Sequence, residues 1–94
     1  MFVIDLEYVV PLEQVDALLD AHKAHLKAGH ASGHFLLWGR KQPRTGGVIL
    51  ASGDRAEVES LANLDPFVTE GAARVTVTEI APAFAAEGLE SLLA

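Results

Sequence analysis

The side chains with the widest chemical range in this chain are four histidines, His22, His25, His30 and His34, all in one stretch. An imidazole titrates near neutral pH, so it can take or give a proton under conditions where most other side chains cannot. The chain has no cysteine, which removes disulfides, thiolate metal sites and a cysteine nucleophile. Ser32 and Ser52 have no nucleophile signature around them. A histidine doing acid–base work needs a carboxylate to orient its ring, and Asp65 is the best candidate. It stands between Leu64 and the pair Pro66-Phe67, at a forced break with apolar neighbours. The same position suits an aspartate that only ends or caps a helix.

The elements that carry these residues separate the histidines. Leu12, Val15, Leu19, His22 and Leu26 recur at steps of three and four, one stripe of an amphipathic helix expected from Leu12 to about Ala28. His22 therefore falls on the apolar side, where two readings stand. It is a core histidine bonded to a buried backbone group, or a general acid or base in a cleft between helix and sheet. His25, bordering the stripe one turn on, could join His22 on a metal if Asp5, Glu7 or Asp65 supplied a third ligand. Such i, i+3 pairs arise commonly without a metal, and neither metal nor cofactor is expected. Gly29 or Gly33 should stop the helix, leaving His30 at a solvated end and His34 at the start of a buried apolar strand, His34 to Trp38.

A loop from Gly39 to Gly47 follows, holding Arg40, Lys41 and Arg44 among the seven Lys and Arg of the chain. It lacks the ending of a phosphate-binding P-loop. It is either a solvated hairpin loop or a place where Arg40 or Arg44 holds a carboxylate or phenolate. Arg40, Arg44 and His25 are the expected substrate contacts.

The other elements complete a fold. Phe2 to Val10 alternates as a strand, Val48 to Ser52 is a second hairpin strand, and a helix follows Asp54. Pro66 to Gly71 is a short helical turn, Ala73 to Ile80 a strand, and 83–93 an amphipathic tail helix. The order βαββαβ is the ferredoxin-like α+β plan, an antiparallel sheet with both helices on one face. Val3, Val9 and Ile80 on the other face favour pairing with a second copy. The 94 residues are read as one domain, with a core over 2–81. A net charge of −6 argues against a general nucleic-acid binder. No apolar run approaches the roughly 20 residues of a membrane span. With no leader pattern before Phe2, a cytoplasmic location is expected.

The segment His22 to Leu37 (HKAHLKAGHASGHFLL), then Gly39 and the run Leu64-Asp65-Pro66-Phe67, resembles the YciI-like (YCII-related) proteins. Their pattern has a helix histidine, a glycine about eleven positions on that opens an apolar strand, another glycine soon after, and an Asp-Pro-Phe or Asp-Pro-Tyr motif after the second helix. His22 and Gly33 match that spacing, and His25 does not. The resemblance implies a dimeric α+β barrel, two sheets packed face to face in a homodimer, and a His-Asp active site at His22 and Asp65. It includes an enzyme type that removes chloride from a chlorinated hydroxyhydroquinone. The wider fold includes muconolactone-isomerase-like enzymes. Two departures matter: Leu19 stands where many members have arginine, and Arg40 where many have proline. Arg40 or Arg44 is expected to replace the missing cation. The combined expectation is a small, cofactor-free homodimeric enzyme that moves a proton on a small anionic or phenolic molecule, by isomerisation or elimination. The alternative is a non-catalytic module that only binds such a ligand.

Overall fold

Side-chain alternation gives strand β1 (Phe2–Tyr8) one buried face, in a computed structural model that describes residues 1–93. It pairs antiparallel with β3 (Gly46–Ala51) on one side and β4 (Ala73–Glu79) on the other. Strand β2 (Phe35–Arg40) adds to β3, giving the sheet order β2-β3-β1-β4. Phe2, Ile4 and Leu6 turn to one face and are buried. Register carries that face across the sheet in rows. One row is Trp38, Ile49, Ile4 and Val77; the next is Arg40, Gly47, Leu6 and Val75. The second row has a gap, because Gly47 places no side chain between Leu6 and Arg40.

The helices cover this face. Of the stripe from Leu12 to Leu26, Val15 and Leu26 are buried and Leu19 and His22 half-buried, whereas Leu12, at the helix start, is exposed. The single helix expected from Leu12 to Ala28 is instead two, α1 (Leu12–Ala17) and α2 (Leu19–Ala31), divided at Leu18 with φ −101° and ψ 0°. Gly29 is not the stop. It lies inside α2 against Phe35, where an added Cβ would come 2.1 Å from Phe35 Cδ2. The stop is Gly33, at φ +84°, a left-handed conformation that glycine adopts without steric cost. His30 is consequently in the last turn of α2 rather than beyond it, and its Nδ1 lies 3.3 Å from the Phe35 carbonyl oxygen.

The apolar run after His34 suggested a buried strand. In this chain β2 is an edge strand: Phe35 is buried, whereas Leu36, Leu37 and Trp38 are exposed, Leu37 by 59%. A register irregularity between Phe35 and Leu37 lets both Phe35 and Trp38 face the helices. Helix α3 (Arg55–Asn63) starts after Asp54, whose side chain makes no cap hydrogen bond. The one-turn helix α4 (Pro66–Thr69) starts after Asp65. The tail helix expected over 83–93 is reduced to a 3-10 turn at Glu90–Leu93, and Phe84 is 86% exposed. Residue 94 lies outside the described residues. No helix among them is long and apolar enough to cross a membrane.

The second face of the sheet is uncovered. Leu37, Leu50, Val3 and Thr78 align across it, beside Val48, Asp5 and Thr76 in the next row.

Candidate active site

Proline sets the geometry of Asp65. The residue before a proline is driven to extended backbone, and Asp65 has φ −57° and ψ 128°. That bend turns its carboxylate back over the first turn of α4, where Oδ1 accepts the Phe67 N–H at 2.9 Å. Asp65 is thus a capping residue. The cap leaves capacity to spare. Oδ1 also accepts the Nδ1–H of His22 at 2.9 Å, across forty-three positions of sequence. Asp65 is 1% exposed, and its Oδ2 has no hydrogen-bond partner among the described residues.

Phe67 holds the other member of the pair. Its ring stacks on the His22 imidazole with centroids 3.9 Å apart and planes at 12°. Tyr8 meets Phe67 edge-on at 5.7 Å. One face and one nitrogen of the imidazole are therefore fixed. In the neutral ring, Nδ1 donating to the carboxylate leaves the lone pair on Nε2, which makes no hydrogen bond within the described residues. The His22 side chain is 12% exposed. It forms part of the wall of a cavity of about 150 Å³ lined chiefly by Tyr8, Leu26, Trp38, Ile49 and Phe67, with Gly47 leaving the room at its floor. A ring held in one tautomer, with a free lone pair beside an apolar cavity, can take a proton from a bound molecule and return it.

The other expected site residues divide. Arg40 lines this cavity. Arg44 does not: its guanidinium is bonded to Asp16 and lies 6.0 Å from the centroid of the Tyr8 ring, on another surface. The Arg44 hydrogen bond holds the Asp16 carboxyl below its ordinary 3.8, and the same contact raises Arg44. Nor does His25 line the cavity. It turns edge-on to Phe35 at 5.7 Å, and its Nε2 is buried without a partner among the described residues. No group of three or more histidine, aspartate or glutamate side chains is placed to hold a metal among the described residues. Lys23, which is not part of the apolar stripe, lines the cavity as well. Its signal was its place beside His22, one residue off the stripe.

A family model described as the YCII-related domain matches residues 1–81. The chain belongs to this family. The YCII-related fold is also that of a solved structure, the 5-chloro-2-hydroxyhydroquinone dehydrochlorinase TftG from Burkholderia phenoliruptrix AC1100 in complex with 2,5-dihydroxybenzoquinone. The two superpose with a TM-score of 0.68 at 20% identity, over 85% of this chain and 93% of that one. At that identity the likeness establishes the shared ferredoxin-like architecture, the plan on which dimeric α+β barrels are built. No curated protein matches the chain significantly.

This YCII-related chain holds a second hydrogen-bonded series that sequence did not single out. Ser32 Oγ lies 2.8 Å from His34 Nδ1, and His34 Nε2 lies 2.8 Å from Glu57 Oε2. The order mimics a serine nucleophile with its base and orienting acid. The neighbouring donors are already spent: Ser32 N–H bonds the Ala28 carbonyl and Gly33 N–H that of His30. Without free N–H groups for an oxyanion, acyl transfer has no support there. What the series does is tie the end of α2 and the start of β2 to α3.

Proposed function

We propose that this protein is a small-molecule enzyme that moves a proton with His22 and Asp65. One observation carries the reading: a buried carboxylate bonded to His22 Nδ1 at 2.9 Å, while Nε2 stays unengaged at the wall of a ring-sized cavity. His22 Nε2 takes a proton from an O–H or an activated C–H of the substrate. The imidazolium so formed is stabilised by the Asp65 carboxylate, whose Oδ2 holds charge without another partner. In an isomerisation, His22 returns the proton to a second carbon. In an elimination, the electron pair left behind expels an anionic leaving group, and the proton is passed to solvent. The solved relative is titled a dehydrochlorinase and is bound to a dihydroxybenzoquinone. That supports phenolic rings, with or without a halogen, as the first substrates to try. Arg40 holds the substrate's negative charge.

The protein is proposed to work as a homodimer joined through the uncovered sheet face, where Leu37, Leu50 and Val3 form a contiguous apolar row. A second copy of the same face would turn two open sheets into one closed layer.

The test is turnover on a panel of chlorinated and unchlorinated hydroquinones, followed as chloride release and as exchange of ring protons in deuterated water. His22→Ala should lower the rate at least about a hundredfold, the usual contribution of a positioned acid–base group. A folded wild-type protein that binds the panel and neither releases chloride nor exchanges protons would sink the enzyme reading in favour of a binding module.

A further inference from the structure

We infer that Lys23 and Arg40 form a two-sided cationic rim over the His22 cavity and select an anion built on a single ring. The inference rests on reading that cavity as the substrate site. The chain is acidic, with thirteen Asp and Glu against seven Lys and Arg. The cavity lining runs the other way. It contains Lys23 and Arg40 and no Asp or Glu. Three of the other five cations are neutralised in place: Lys41 pairs with Asp5, Arg44 with Asp16, and Arg55 with Glu59 and Glu79, while Lys27 and Arg74, which do not line the cavity, make no ion pair among the described residues. Lys23 and Arg40 make no ion pair among the described residues. Asp16 feels the Arg40 charge but is held by Arg44.

The two cations come from opposite layers. Lys23 stands on α2, next to His22. Arg40 ends β2 on the helix-facing side of the sheet, in the row where Gly47 leaves the gap. A ligand seated over that gap has Leu6, Leu26, Ile49 and Phe67 against its body. Its charged oxygens are left at the rim between an ammonium and a guanidinium. Size narrows the class further. The cavity measures about 150 Å³, and an apolar cavity of about that volume accommodates one benzene ring. The enclosed part therefore takes a one-ring carboxylate or phenolate, and a fused two-ring acid would have to extend through its open side.

Trp38 is the only tryptophan of the chain and lines the cavity, so its fluorescence reads occupancy directly. Three probes decide the matter: benzoate, the neutral benzyl alcohol and the two-ring 2-naphthoate. Benzoate should quench Trp38 saturably, with the other two at least about tenfold weaker. Lys23→Met and Arg40→Met should each raise the benzoate Kd about fivefold, as for an exposed charge pair of about 1 kcal/mol. Lys23→Arg should restore it. Both side chains sit at the surface, so unchanged thermal unfolding of the Met variants serves as the folding control. Three results each overturn the inference: benzoate binding indifferent to Lys23, equal binding of benzyl alcohol or 2-naphthoate, or no saturable quench by benzoate at millimolar concentration. The readout is separate from catalysis. Lys23-dependent binding in a protein without turnover leaves this rim standing and removes the proton-transfer reading. His22-dependent turnover that ignores Lys23 does the reverse.

Discussion

At the scale of single residues, the site depends on one oxygen atom. Asp65 Oδ1 accepts two donors, the Phe67 amide that starts α4 and the His22 ring. The carboxylate therefore orders a backbone turn and a side chain together, and the Phe67 ring placed by that turn stacks on the same histidine. Removing the carboxylate strands a buried N–H and frees the imidazole to choose either tautomer. Asp65→Ala should cost about 1–3 kcal/mol of stability, the penalty of leaving a buried donor unsatisfied, measured by urea unfolding. Asp65→Asn keeps an acceptor for Phe67 and should cost less. It should still lower turnover, because a neutral amide does not stabilise an imidazolium. A loss of stability in both variants with full activity would reassign the residue to a purely structural cap.

At the scale of elements, α2 is held to the sheet by a glycine used for closeness rather than for a turn. Gly29 is buried, and Phe35 occupies the space a Cβ would fill, 2.1 Å from where that atom would lie. This close approach sets the height of α2 above β2, and so the clearance between His22 and the gap at Gly47. Gly29→Ala raises helix propensity by about 1 kcal/mol, yet it should destabilise the protein by about 1–3 kcal/mol, since overpacking outweighs propensity. Chemical denaturation distinguishes the two: a rise in the midpoint would mean that Phe35 swings aside freely. The end of the same helix is secured by the Ser32–His34–Glu57 series to α3. The helix bearing His22 is thereby fixed relative to the second helix pair, which bears Asp65.

At the scale of the whole molecule, the chain is a two-layer structure with helices on one side of its sheet. Its mean hydropathy is +0.26, high for a protein that leaves the opposite sheet face and an apolar edge strand open. The homodimer proposed above resolves this. Leu50 lies mid-row on that face, between Leu37 and Val3. Leu50→Asp should convert a dimer into a monomer in sedimentation, because an unpaired carboxylate in a dry interface costs several kcal/mol. A wild-type monomer at micromolar concentration would remove the proposal at once.

The sequence by itself determined the element order, the apolar stripe that includes His22, the break at Asp65-Pro66 and the family. Each of these is local or periodic: spacing by three and four, alternation by two, a proline restricting its predecessor. It did not determine which glycine ends α2, since both are glycines, and only the fold presses Phe35 against Gly29 and turns Gly33 to a left-handed φ. Nor could it sort the cations. Arg40, Arg44 and Lys23 were equivalent as charges. Sheet register set Arg40 over Gly47, an ion pair drew Arg44 to Asp16, and the cavity reached one residue off the stripe to Lys23. The tail's weak periodicity suggested a helix that the fold supplies no partner to stabilise, and a short amphipathic segment alone rarely repays nucleation. The His22–Asp65 hydrogen bond is the clearest case. Two residues forty-three positions apart meet only because β2, β3 and α3 fold back between them.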